Sequence, residues 1–184
     1  MINPFPTQPI EFYRNKWVTV TGATGLIGSY VVKVLKESGA LVTATYHRRL
    51  GNEFTDMADR QVQYDALSSE PCELVYRSEI VIGCAGITGG VALPSQDPVS
   101  YVGPATAMVI NQLHNCHLFK VKRFGFLSST TVYAPQDEPC REEDVDKPGE
   151  LYPLYRGIGE SKRFLEKLCR YYHETTGLGV GIVR

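Results

Sequence analysis

Apolar and polar positions along the 184-residue chain alternate between two rhythms. Short β-branched or apolar runs stand at Trp17–Thr21, Leu41–Tyr46, 80–84, Arg123–Leu127 and 180–183, and read as strands buried on both faces. A weaker run at 61–64 predicts one more strand, leading into Asp65. Between these runs the period changes to that of a helix. Segment 26–38 carries Leu26, Ile27, Tyr30, Val31, Val34 and Leu35 on one face, and Gly39 ends it. Further helices are predicted over about 99–118 and 155–172. Strand–helix alternation of this kind implies a parallel sheet with right-handed crossovers, helices on both faces and ligand at the carboxyl ends of the strands. The proline- and acid-rich stretch 135–153 is a loop long enough to act as a lid. No internal repeat interrupts the pattern.

The break after the first strand carries the chemistry. Thr21-Gly-Ala-Thr-Gly-Leu-Ile-Gly28 places glycines between a strand and a helix. Glycine permits positive φ and lets a phosphate approach the backbone, while the helix start offers free N–H groups to an anion. In that context three glycines indicate a dinucleotide site rather than a turn kept for packing. The expected fold is therefore α/β, a Rossmann-type doubly wound parallel sheet. Gly22, Thr24, Gly25, Leu26, Ile27 and Gly28 are expected around the pyrophosphate. A carboxylate after the second strand would bind the ribose 2′-hydroxyl of NAD. Here the strand runs into His47-Arg48-Arg49, with no acid in place. Guanidinium matches phosphate geometry, which favours NADP over NAD and makes His47 and Arg48 contact candidates. Asp65 and Ala66 are expected at the adenine, although an aspartate that caps a turn looks the same in sequence. Cys84, Ala85 and Gly86, after the fourth strand, complete the expected cofactor set.

Composition narrows the remaining classes. With 43% apolar residues the chain can build one core, and a net charge of −1 gives no reason to expect nucleic acid or an anionic membrane. The five cysteines are odd in number, widely spaced and free of C-x-x-C pairs, which indicates reduced thiols in a cytoplasmic protein. The four histidines make no ligand-spaced pair, so metal binding is not expected. Residues 1–15, with three prolines, read as an arm rather than a signal peptide, and residues 16–184 as the nucleotide-binding domain. No apolar run approaches bilayer length.

Together with the glycine motif, Phe126-Leu-Ser-Ser-Thr-Thr-Val-Tyr133 and Glu160-Ser-Lys-Arg-Phe-Leu-Glu166 make the chain resemble the extended short-chain dehydrogenase/reductases, the NAD(P)-dependent nucleotide-sugar epimerases and dehydratases. Ala85-Gly-Ile-Thr-Gly-Gly90 is similar, more briefly, to GDP-fucose synthase-like enzymes. The resemblance implies hydride transfer on a nucleoside-diphosphate sugar, with Thr88, Ser129 and Thr130 toward the substrate. Lys162 would bind the nicotinamide ribose and lower a phenol pKa from about 10 toward working pH. It also implies a homodimer built on the helices near 99–118 and 155–172.

Three positions depart from the family pattern. Ile158 stands four residues before Lys162, where the motif has its tyrosine. Tyr155, seven residues before, is the nearest phenol and would lie about 10.5 Å along a continuous helix. Gly157 and Gly159 disfavour helix, so the helix is expected to start near Glu160 and leave Tyr155 on a loop that could fold back. Ala105 and Thr131 stand where the family and its GDP-fucose synthase-like members carry asparagine and cysteine. The alternative is a protein that binds NADP(H), or supports assembly, without turnover. The final strand stops where family members continue into their substrate region, so the chain is expected to be the N-terminal part of a longer protein.

Overall fold

The computed structural model describes residues 11–49, 51–68, 70–87, 97 and 99–184. These build one sheet from β1 (Trp17–Thr21), β2 (Leu41–Tyr46), β3 (Arg60–Gln63), β4 (Ile80–Gly83), β5 (Arg123–Leu127) and β6 (Gly179–Val183). The strands lie in the order β3-β2-β1-β4-β5-β6, and every neighbouring pair is parallel. The helices are α1 (Leu26–Glu37), α2 (Glu73–Tyr76), α3 (Val102–Leu118) and α4 (Arg156–Thr176). This is the doubly wound arrangement the alternation implied. Among the described residues no helix is long and apolar enough to cross a membrane.

The period-two side chains of β1 show how the layers form. Val18 and Val20 are fully buried with Val32 and Leu35 of α1 on one face. Thr19 and Thr21 point to the other, where their hydroxyls donate to the Val75 carbonyl at 2.7 Å and to Gln112 Oε1 of α3 at 2.6 Å. That second face holds the larger core, with Phe124 and Phe126 of β5 packed under Leu113 of α3 and Leu165 of α4. Each such side chain contributes about 1.5–3 kcal/mol on burial. Strand order runs outward from β1 in both directions, so a crevice opens above the carboxyl ends of β1 and β4.

Local differences from the sequence reading have physical causes. The stripe Leu26, Ile27, Tyr30 and Val34 of α1 is not the buried one: Leu26 is 80% exposed and Val34 47%. Gly28, Ser29, Val32 and Leu35 face the sheet instead. A Cβ on Gly28 would lie 2.3 Å from the Gly22 carbonyl oxygen, so this side of the helix must carry small residues to seat against the turn. The displaced stripe borders an open groove of about 570 Å3 with Tyr13 and Ile82. Within the expected arm, residues 11–13 form a 3-10 turn, Tyr13 packs against the α1 core, and the Asn15 N–H bonds the Gly39 carbonyl at 2.9 Å. The helix expected to start near Glu160 begins at Arg156, with both glycines inside it.

Candidate cofactor-binding and active site

The β1–α1 turn is shaped by backbone contacts that only glycine allows. Gly22 has φ of +62°, and a Cβ there would meet the Ala85 N and Cα at 2.6 Å. Its N–H donates to Thr45 Oγ1 at 3.1 Å, and the Ala23 N–H donates to the Thr45 carbonyl at 3.0 Å, pinning the turn to the end of β2. Gly25 precedes α1 in extended conformation, and no side chain caps the helix. The first-turn N–H groups therefore stay available to an anion. Replacing Thr45 with valine is expected to lower folding stability by about 1 kcal/mol. Denaturant titration measures that loss.

A cavity of about 240 Å3 opens beside this turn, at the carboxyl ends of the central strands. Gly22, Thr24 and Gly25 form one wall, and His47 closes the end of β2. Asp65 and Ala66 follow β3, and Cys84, Ala85 and Gly86 follow β4. All nine were expected from sequence. Gly28 lies behind the wall, and Leu26 and Ile27 contribute the first turn of α1 while their side chains point into the separate groove. Arg48 does not line the cavity; it is exposed beside it. Thr88 lies outside the described residues.

Three lining residues were not foreseen. Thr45 and Tyr64 sit at strand ends where side chains alternate between core and crevice, and Met108 reaches in from α3. Tyr64 shares a 2.6 Å hydroxyl–hydroxyl bond with Tyr76, and burial pushes its phenol up to about 12. Burial likewise pushes the Cys84 thiol up to about 12, so it forms a neutral wall at physiological pH. Asp65 accepts the Leu67 N–H at 2.9 Å with one oxygen, and its other oxygen lies 3.8 Å from His47 Nε2. The loop below is fixed by Asn111 of α3, whose amide donates to the Ala66 carbonyl at 3.1 Å.

Ser129 and Lys162 do not line this cavity; they stand together at the end of β5, one strand beyond β4. Ser129 Oγ accepts from the Thr131 N–H at 3.2 Å and from the Thr131 hydroxyl at 2.9 Å, opening a 3-10 turn over Thr130–Val132. Thr130 itself is exposed. Lys162 Nζ donates to the Leu127 carbonyl at 2.7 Å and lies 4.7 Å from the Phe126 ring centroid. Burial pushes its ammonium down to about 8. Tyr155 does not fold back. It immediately precedes α4, so the seven-residue helical rise to Lys162 holds it about 10.5 Å away along the axis. Its ring packs on Tyr152 with centroids 6.0 Å apart, and among the described residues no hydrogen bond joins it to Lys162 or Ser129. Half-buried Ile158 occupies the motif's tyrosine position.

The sequence reading also missed an ion pair beneath this end. Glu166 is 1% exposed and accepts from Arg184 at 2.6 and 2.9 Å and from the Ser128 hydroxyl at 2.5 Å. Burial pushes its carboxyl up, but the Arg184 and Ser128 hydrogen bonds outweigh that and hold it below the usual range. Arg184 also reaches Tyr133 and the Glu142 carbonyl, tying the serine segment to the following loop.

The chain belongs to the NAD dependent epimerase/dehydratase family, whose model matches residues 18–184. It is 29% identical over 171 residues to the UDP-glucose 4-epimerase of Azospirillum brasilense, covering 91% of this chain and 47% of that protein. It is 25% identical over 176 residues to the GDP-mannose 3,5-epimerase of Arabidopsis thaliana, covering 93% and 46%. The chain thus spans about half the length of the curated relatives it matches. The crystal structure of the Thermus thermophilus UDP-glucose 4-epimerase in complex with NAD superposes with a TM-score of 0.74 at 22% identity, over 91% of this chain and 54% of that one.

Proposed function

We propose that this chain is the cofactor-binding part of an NAD(P)-dependent epimerase, dehydratase or reductase that acts on a nucleoside-diphosphate sugar by hydride transfer. The observation that carries this reading is the convergence of the β1–α1 turn, His47, Asp65 and the Cys84–Gly86 segment on one cavity above the sheet's reversal point. A pyridine dinucleotide fits the residues present. Gly22 and Gly28 leave room that any Cβ would fill, and the uncapped start of α1 suits a pyrophosphate. When bound, such a cofactor accepts and returns a hydride. The protein's part is to hold and orient: Leu26 and Ile27 N–H groups on the diphosphate, Asp65 and Ala66 at the adenine, Lys162 at the nicotinamide ribose. Ser129, with Thr130 and Thr88, would bind the sugar oxygen that gains or loses a proton. Isothermal titration with NADP+ and NAD+ tests the reading, and flat traces from folded protein would overturn it.

NADP is the favoured cofactor, because the position after β2 offers His47 and the flanking Arg48 and Arg49 in place of a carboxylate. Arg48→Ala is expected to weaken NADP+ binding about tenfold and NAD+ binding little, since a charge-assisted bond is worth about 1.5–3 kcal/mol. Equal losses would contradict a 2′-phosphate contact. A homodimer through α3 and α4, in the cytoplasm, completes the proposal. The two helices pack together, and each leaves large apolar side chains outward, Ile110 and Leu118 on α3, Phe164 and Tyr171 on α4. Sedimentation at micromolar concentration reads the assembly directly.

A further inference from the structure

We infer that the His47–Asp65 pair makes the choice between a 2′-phosphate and a 2′-hydroxyl depend on pH, an inference that rests on the dinucleotide reading of the cavity. His47 is the first residue past β2, the position from which a side chain meets the adenosine ribose. Arg48, the guanidinium that composition suggests, lies outside the cavity wall, whereas the imidazole is part of it. The His47 backbone is held by Gln63, whose side-chain amide donates to its carbonyl at 3.1 Å. Asp65 is also fixed, because one of its oxygens accepts the Leu67 N–H. The other faces His47 Nε2 at 3.8 Å, within ion-pair range of a protonated ring.

An imidazole changes charge between pH 5 and 8, and a guanidinium does not. The other groups around His47 hold one charge state across that window. Arg48 and Arg49 follow it in the chain, and Thr24 and Gly25 face it from the β1–α1 turn. Tyr64 from the end of β3 and Cys84 from the end of β4 are kept neutral by burial. Asp65 supplies the local negative charge that accompanies the imidazolium while the cavity is empty of phosphate. A 2′-phosphate brings its own negative charge, so below pH 7 it finds the charged ring already in place. At pH 8 it meets a neutral ring and the uncompensated Asp65 carboxylate. A 2′-hydroxyl feels neither change strongly.

The test is the ratio of dissociation constants for NAD+ and NADP+ at pH 6, 7 and 8, by titration calorimetry, for the unaltered protein, His47→Gln and Arg48→Ala. The expected preference for NADP+ falls about tenfold from pH 6 to pH 8 in the unaltered protein. In His47→Gln that fall vanishes, leaving only the titration of the 2′-phosphate itself, which acts in the opposite direction because the phosphate gains charge as pH rises. In Arg48→Ala the preference drops at every pH and the fall persists. Parallel pH profiles in the unaltered protein and His47→Gln, with both nucleotides still binding, would overturn this inference alone. Absence of binding by either nucleotide at every pH would overturn the dinucleotide reading with it.

Discussion

Replacing Gly28 with alanine is expected to raise the dissociation constants for NADP+ and NAD+ by at least 100-fold while the protein stays folded. The added methyl would sit 2.3 Å from the Gly22 carbonyl oxygen and 2.8 Å from the Ala23 Cα. Both are backbone atoms of the turn, so no side-chain rotation relieves the contact. Either α1 moves outward or the turn opens, and both movements carry the Leu26 and Ile27 N–H groups off the diphosphate. Two charge-assisted hydrogen bonds at about 1.5–3 kcal/mol each come to roughly 3–6 kcal/mol, or a factor on the order of 100 to 10,000. The core beneath is less exposed to the change, because Val32 and Leu35 lie one and two turns further along the helix. Calorimetric titration with circular dichroism on the same samples separates the two effects. Unchanged affinity in a folded variant would mean that the diphosphate does not sit at this helix start.

What the sequence disclosed follows from where burial is uniform. β1, β2 and β5 match their apolar runs residue for residue, because a central parallel strand is covered on both faces and tolerates little else. The cofactor wall was legible for a related reason: glycine at 22 and small residues at 85 and 86 record close approach of backbones, which leaves a mark in composition. Other features lie in contacts between distant positions. α2 is four residues long and has no side-chain cap; its place is fixed by the Thr19 bond to Val75 and the Tyr64 bond to Tyr76. The start of α4 was displaced in the reading because two glycines cost about 1 kcal/mol each in a helix. Here Gly159 is needed for another purpose. A Cβ on it would lie 2.5 Å from the Thr131 carbonyl oxygen, so the residue lets α4 approach the serine segment. Tertiary contact outweighs the propensity, and Tyr155 is carried away from Lys162 as a consequence. The Glu166–Arg184 pair spans 18 positions and has no local signature, which is why its support of Ser128 became visible only in three dimensions.

Lys162→Met is expected to make the protein more stable at pH 7 while weakening its hold on the nicotinamide half of the cofactor. Burial lowers the Lys162 ammonium from 10.5 to about 8. Between those values the unfolded chain binds a proton that the folded chain does not, so stability from this group rises as pH increases through the window. Below pH 8 the folded state carries the full penalty of the buried charge, roughly 3 kcal/mol. Methionine removes that penalty and fills the space against Phe126, but it leaves the Leu127 carbonyl without its donor, at a cost of about 1–2 kcal/mol. The net gain at pH 7 is about 1–2 kcal/mol, a rise in Tm of a few degrees for a chain of this size. The gap should close as pH approaches 10.5, where the lysine is neutral in both states. Cys84 and Cys169, pushed up to about 12 by burial, lower stability as pH climbs past the ordinary thiol range. They do so in both proteins, and the difference between the two melting curves isolates the lysine. A variant less stable than the parent at pH 7, or a gap that does not change with pH, would show that the ammonium is solvated rather than held in the core. In that case its closeness to Ser129 would no longer distinguish it from an ordinary surface lysine.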